Sequence, residues 1–254
     1  MRLHTLALSS PWHDPNLIQV GQETKTTVGA VLYDLDGVLL NSTPLMSAVL
    51  ADLATTALGR EPTRAAVARV LPMPVPAALH ALGVPNPQTA IDKHFDDAYA
   101  RHAHLATIIP AAVAVIQELR EAGIRQGIVT LQRRHRLNML NLSALLSLVD
   151  TVVCHDDAPP KPSPVPIWRA LNQLGVPVWQ TWIVGDTTTD VAAGRAALIR
   201  VAGATWGYHS AAMLRRAGAD LLLDHPWQIR TLADTGRHQL NQPVPTERTK
   251  HIAQ

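Results

Sequence analysis

The chain has 254 residues, 47% of them hydrophobic and 17% charged, with a formal net charge of +2; this is the balance of a globular protein able to bury one large core without disulfides or structural metals. That small charge excludes a nucleic-acid footprint, because the densest basic run, Arg133-Arg134-His135-Arg136, is short and reads as the solvated first turn of a helix. The single Cys154 excludes an intrachain disulfide, which fits a reducing cytoplasm.

Residues 1–27 are polar and irregular and read as an N-terminal extension without a secretory pattern. Leu6-Ala7-Leu8 is too short an apolar core, and Pro11, His13 and Asp14 follow at once. No stretch approaches the ~20 apolar residues of a membrane span. The first strong signal is Val28–Asp34, a short apolar run ending in carboxylates, and similar runs recur at Gln126–Thr130, Thr151–Cys154, Thr181–Asp186, Val201–Trp206 and Ala219–Asp224. Short continuous runs of this kind suit strands buried on both faces, as in a parallel sheet. Helical patterns separate them: Ala111–Ala122 carries Val113, Ile116 and Leu119 on one face before Gly123, Pro164–Leu174 stops at Gly175, and Val191–Ala197 is Ala-rich.

Strand then helix, repeated, predicts an α/β fold with a doubly wound parallel sheet. Residues 43–110 break the alternation with Ala-rich helical segments, a Pro-studded turn at Leu71–Pro76 and no convincing strand. They read as a small α-helical cap inserted into a core made of residues 28–42 and 111–236. Residues 237–254, polar and containing Pro243 and Pro245, read as a flexible tail.

In such sheets ligands sit beyond the carboxyl ends of the strands, and the chain's polar residues collect there. Tyr33-Asp34-Leu35-Asp36-Gly37 sets two carboxylates two residues apart past a buried strand. Carboxylates so close repel, and a hard divalent cation such as Mg²⁺ would let them coexist. An Asp-rich turn would explain the pair as well. Gly185-Asp186-Thr187-Thr188-Thr189-Asp190 repeats the theme at another strand end, where N-capping accounts for one Asp more easily than for both. Thr130, at the end of a strand, could bind phosphate oxygens. Lys161 stands among prolines in a chain with 18 Arg and only four Lys. Read singly, Thr130 suits any strand and Lys161 any solvated loop.

The series DxD, Thr, Lys and GDxxxD resembles the haloacid dehalogenase superfamily over roughly residues 28–235. Asp34–Ser42 is similar to its first motif, Thr130 falls in the second, Lys161 in the third and Gly185–Asp190 in the fourth. Lys161-Pro162-Ser163-Pro164, and Ala202–Tyr208 followed by Ala217–Asp220, resemble the phosphoglycolate-phosphatase-like branch. The resemblance implies a Rossmann-like core and a Mg²⁺-dependent phosphatase acting on a small phosphorylated metabolite through an aspartyl-phosphate. Asp34 would be the nucleophile and Asp36 the acid and base. Thr130 and Lys161 would bind phosphate, and Asp34, Asp36 (through its backbone carbonyl), Asp186 and Asp190 would hold the metal. Arg69, Met73 and Tyr99 are the cap residues expected to set specificity. Neither nucleic acid nor membrane is an expected partner, and the expected assembly is a monomer or homodimer in the cytoplasm. A phosphosugar mutase on the same scaffold, or an inactive module that binds phosphate or a partner, are the rival readings; Asp36 argues against the second and against the dehalogenase branch.

The sequence departs from the family pattern at Tyr33, where Phe is usual, at Asn41, at Leu131-Gln132, at Pro110-Ala111-Ala112 and at Val70. Among the 12 histidines, His102 and His104 with His94 could suggest zinc, but residues i and i+2 on a helix diverge by about 200°. They read as solvated or partly packed. Five of the six Trp fall in the second half and read as core or interface, and Cys154 as a buried, inert thiol.

Overall fold

The computed structural model describes residues 27–234. The extension expected before Val28, save Thr27, and the tail expected from residue 237 lie outside them. All six apolar runs form strands: β1 (Ala30–Tyr33), then, beyond the short β2 (Leu40–Asn41) and β3 (Thr107–Ile108), β4 (Arg125–Val129), β5 (Thr151–Val153), β6 (Thr181–Gly185), β7 (Arg200–Ala204) and β8 (Leu221–Leu223). The six pair in parallel in the order β5-β4-β1-β6-β7-β8, so β1 sits inside the sheet with Ala30 opposite both Arg125 and Thr181.

Side-chain alternation along these strands makes two apolar layers. Ala30 and Leu32 join Val129, Ile183 and Val201 in one, while Val31 and Tyr33 join Ile128, Val184 and Ala202 in the other. Four helices lie between β2 and β3: α1 (Thr43–Leu58), α2 (Arg64–Val70), α3 (Val75–Ala81) and α4 (Pro87–His102). Next come α5 (Pro110–Glu121), the one-turn α6 (Arg134–Leu137) and α7 (Ser143–Leu146), α8 (Val165–Leu174), α9 (Thr188–Ala196) and α10 (Ala211–Ala217). Ile167, Ala170, Leu171 and Leu174 of α8, with Val191 and Ala193 of α9, cover the first layer. Ala112, Val115, Ile116 and Leu119 of α5 cover the second, with Ile229 and Leu232 of a 3₁₀ segment at Pro226–Asp234. Each fully buried Leu or Ile of this kind stabilises the fold by about 1.5–3 kcal/mol. This is the doubly wound parallel sheet that the strand–helix alternation predicts.

Two details differ from the sequence reading. No strand was expected in residues 43–110, yet β3 pairs antiparallel with β2, Leu40 opposite Ile108, and Ile109 N–H donates to the Leu39 carbonyl at 2.9 Å. Two residues are too few to show a period; the pairing arises because the chain leaves and re-enters the sheet at one place. The second difference is Arg136, expected to be solvated in the first turn of a helix. Its side chain is only 16% exposed, donates to Asp96 of α4 at 2.7 Å and lies 4.2 Å over the Phe95 ring. α6 thereby ties the sheet side of the molecule to α4.

Tyr33, in the buried second layer, donates its hydroxyl proton to Gln126 Oε1 at 2.7 Å, and Gln126 Nε2 donates to the Ile124 carbonyl at 2.8 Å. Both side chains are fully buried, so each supplies the partner that the other needs. Among the described residues no helix is long and apolar enough to cross a membrane.

Candidate active site

Asp34, Thr130 and Asp186 each follow the last residue of a neighbouring strand, β1, β4 and β6, so the parallel sheet itself delivers them to one edge. Asp34 N–H donates to the Val184 carbonyl at 2.9 Å, extending the ladder one residue past β1. The chain then turns sharply, with the Leu35 carbonyl accepting from Leu39 N–H at 3.0 Å and Leu40 N–H at 2.9 Å. Gly37 makes the turn possible with a φ of +79°, and a Cβ there would strike the Asp186 carboxylate. Asp34 and Asp36 both face one cavity of about 550 Å³.

Lys161 is 5% exposed and spends its three ammonium protons on the sheet edge. It donates to the Val129 carbonyl at 2.9 Å, to Asp34 Oδ1 at 2.9 Å and to Asp190 Oδ1 at 2.5 Å. The loop before it is anchored by Asp157, which accepts from Cys154 N–H at 2.8 Å and from Arg134. Asp190 also closes a capping box on α9, its other oxygen accepting from Thr187 N–H at 3.0 Å and from the Thr187 hydroxyl at 2.6 Å. Both of its oxygens are therefore engaged by the protein.

Asp186 is different. One oxygen accepts from Tyr208 N–H at 2.7 Å; the other, Oδ1, is buried with no hydrogen-bond partner. Backbone approaches so closely here that a Cβ on Gly207 would also strike this carboxylate. Asp36 has a similar split: Oδ2 accepts from Gln132 Nε2 at 2.8 Å, and Oδ1 is buried and unpartnered.

Burial pushes Asp34 up to about 7, a rise that the Lys161 ammonium only partly opposes and that the charges of Asp190 and Asp36 add to. Burial likewise holds Asp186 well above the ordinary carboxylate range, with Asp34 and Asp190 adding to the effect. Asp36 is raised by burial against the Gln132 hydrogen bond. For Lys161, burial disfavours the charged amine, but Asp190 and Asp34 outweigh it and the pKa stays above the ordinary lysine value.

Oxygens of Asp34, Asp186 and Asp190 lie within 4.8 Å of one another, the only such group among the described residues, and no histidine joins it. Three buried carboxylates so close, with one ammonium paired to two of them and a buried oxygen of Asp186 left over, fit a hard divalent cation. Asp190, already committed to Lys161 and Thr187, fits a supporting place better than a direct one.

A pH dependence follows. Folded Asp34 keeps its proton to about pH 7, whereas an unfolded Asp releases it near 3.8. The folded state thus binds the extra proton between these values, and the stability this contributes, complete below about pH 4, is lost as the pH rises through 7. In EDTA the Tm is expected to fall by roughly 5 °C or more from pH 5 to pH 8. Saturating divalent cation should raise it most at pH 8. A flat EDTA profile would mean that the cluster holds no proton.

Thr130 is buried and its hydroxyl accepts from Gln132 N–H at 3.0 Å, leaving a proton to donate at the strand end. Met73 lines the cavity, whereas Arg69 is exposed and outside its lining, and Tyr99 is fully buried with an unpartnered hydroxyl. His102 lies 3.2 Å from Asp52, away from any metal group. Cys154 is buried, and burial pushes its thiol up, which disfavours the reactive thiolate. Sequence reasoning did not find Gln132, Tyr208 or His209. The available signals were the departure of Leu131-Gln132 from the usual small or polar residues and the place of Tyr208 at the end of the Ala202–Tyr208 similarity.

Residues 31–204 match the model of the haloacid dehalogenase-like hydrolases. The chain is 30% identical to pyrophosphatase PpaX of Bacillus velezensis over 203 residues, covering 79% of this chain and 94% of that one. It is 33% identical to a plasmid-borne phosphoglycolate phosphatase of Cupriavidus necator, covering 77% and 88%. A solved Lactobacillus plantarum structure, provisionally named a phosphoglycolate phosphatase, superposes with a TM-score of 0.71 at 26% identity, covering 81% of this chain and 99% of that one. With its parallel sheet and its carboxylates gathered at one strand edge, the chain belongs to the haloacid dehalogenase-like hydrolases.

Proposed function

We propose that this hydrolase is a Mg²⁺-dependent phosphatase of the cytoplasm, cleaving a small-molecule phosphate monoester through an aspartyl-phosphate on Asp34. The observation that carries this reading is the placement of Asp34 and Asp36 on one cavity, with Asp34 held by Lys161 and grouped with Asp186. The names of the relatives agree with it. Asp34 attacks phosphorus, and the bond to the leaving oxygen breaks as Asp36 gives that oxygen a proton. Water then attacks the acyl phosphate, Asp36 takes its proton, and phosphate leaves with Asp34 restored. The raised pKa of Asp36 suits a group that must hold a proton and then accept one. Thr130, with a hydroxyl proton to donate, and the positive charge of Lys161 would compensate charge on the equatorial oxygens. Asp34, Asp186 and the Asp36 carbonyl would hold Mg²⁺, with Asp190 behind them; the ion supplies positive charge to the phosphoryl oxygens and lowers the repulsion that Asp34 meets on approach.

Helices α1–α4 serve as the cap in this reading. One cross-link between them and the sheet edge is His209, whose Nδ1 accepts from Thr188 N–H at 3.1 Å and whose Nε2 lies 3.2 Å from the Pro72 carbonyl. The test is p-nitrophenyl phosphate hydrolysis. Turnover is expected to vanish in EDTA, return with Mg²⁺ and fall with Ca²⁺, whose larger and looser coordination misplaces the phosphoryl group. Full activity after exhaustive dialysis against EDTA would overturn the metal requirement.

A further inference from the structure

The cavity has two chemically different sides. Its floor is polar, with Asp34, Asp36, Gln132 and the Thr187–Thr189 run. Its opposite wall consists of Met46 and Leu50 from α1 and of Leu71, Met73 and Val75 around the α2–α3 turn, with Leu131 beside the floor. Met73 is 43% and Leu131 44% exposed. Both are large apolar side chains that line the same cavity as Met46 and Leu50, so its wall offers hydrocarbon to whatever enters. Leu131 directly follows Thr130, so this surface begins next to the phosphoryl position.

Charge points the same way. No Arg or Lys is among the described residues that line the cavity. Lys161 has its three protons on Val129, Asp34 and Asp190. The backbone N–H of Thr188 can only donate, so Nδ1 of His209 accepts and Nε2 carries the ring proton, given to the Pro72 carbonyl. Neither nitrogen of the neutral ring remains for a ligand. His155, the other histidine of the lining, has Nδ1 4.0 Å from Asp156. A carboxylate or second phosphate on the substrate, beyond the phosphoryl group that Mg²⁺ would meet, would enter beside Asp36 with no Arg or Lys of the lining to receive it, at a cost in desolvation and repulsion.

We infer that the substrate is the phosphate monoester of an apolar alcohol, with the phosphoryl group as its only anion, held by hydrocarbon contacts to Met46, Met73 and Leu131. The inference rests on the phosphatase reading above and separates this chain from the substrates named for its relatives, both of which carry a second anionic group. A cavity of about 550 Å³ is of the size that encloses a ligand well beyond two carbons.

Binding of non-hydrolysable n-alkylphosphonates, ethyl to octyl, to the full chain with Mg²⁺ tests it by calorimetry. Each added methylene is expected to lower Kd by roughly fourfold until the wall is covered. Phosphonoacetate, which ends in a carboxylate, should bind at least ~10-fold more weakly than propylphosphonate of equal length. In M73D and L131D, both at half-exposed positions where the fold should persist by thermal melt, the gain should shrink to less than about twofold per methylene. Kd independent of chain length, or phosphonoacetate binding as tightly as propylphosphonate, would overturn the inference. Parallel assays of p-nitrophenyl phosphate address the other reading: absent turnover with a steep chain-length dependence would remove the phosphatase assignment and leave the apolar site standing.

Discussion

Asp34→Asn is expected to lower turnover by more than ~10⁴-fold, the scale on which loss of a covalent nucleophile acts. An amide oxygen is too poor a nucleophile to attack phosphorus, so intact-mass spectrometry of the quenched variant should show no added phosphate. Asp36→Asn should behave differently. It keeps the backbone carbonyl and the length of the side chain but removes the proton donor and base, a loss of ~10²–10⁴-fold. With p-nitrophenol, which leaves with little protonation, the first step should survive better than hydrolysis of the intermediate. The Asp36 variant should then accumulate a base-labile mass increase of one phosphate on Asp34. The new amide also faces Gln132 Nε2, now 2.8 Å from the carboxylate, so a flip of Asn or Gln is needed to keep that hydrogen bond. Trapped phosphate on the Asp34 variant instead, or unchanged turnover in both, would reverse the assignment of nucleophile and acid.

Lys161→Met should damage both fold and chemistry. The ammonium is 5% exposed and pairs with Asp34 and Asp190; its removal leaves two buried carboxylates without their shared cation. Breaking such an arrangement costs about 3–5 kcal/mol, which corresponds to a Tm lower by roughly 10 °C in EDTA. Turnover should fall by ~10²–10³-fold, as when one fixed group that stabilises a developing oxyanion is lost, here the positive charge beside Asp34. The two losses separate on adding Mg²⁺: a cation bound among the remaining carboxylates restores part of the Tm through mass action, whereas the ammonium that holds Asp34 is not replaced and turnover stays low. An unchanged melt would show that Asp34 and Asp190 do not depend on Lys161. Lys161→Arg should fail as well, because a planar fork cannot follow three donations directed from one nitrogen.

Much of this arrangement is local enough to read from the chain. A strand covered on both faces must be apolar throughout, so the six sheet strands stand out against the helical periods between them. The end of such a strand is where a parallel sheet exposes polar residues, which is why Asp34, Asp36, Thr130 and Asp186 could be nominated before any contact was known. Lys161 owed its place to proline neighbours and to order along the chain. What failed to register was short or distant. β3 has two residues, below any period, and Arg136 looked like part of a solvated basic run until Asp96, 40 positions away, and the Phe95 ring covered it.

The contacts that give the site its chemistry join residues with no sequence relation. Gln132 reaches Asp36 across 96 positions, His209 reaches Pro72 across 137, and Tyr208 N–H reaches Asp186 across 22. Tyr33 was a departure without a reason until its hydroxyl met Gln126, 93 positions on. Sequence by itself determined the sheet, its family and the carboxylates that end its strands, because each depends on local period, residue type or spacing. Tertiary structure alone decided which carboxylate oxygens lack partners, which acids burial pushes above their ordinary range, and that the wall facing them is hydrocarbon. Those properties depend on how much water the whole fold removes from a group and on which other charges it brings within a few ångströms, and neither quantity is written in any one segment of the chain.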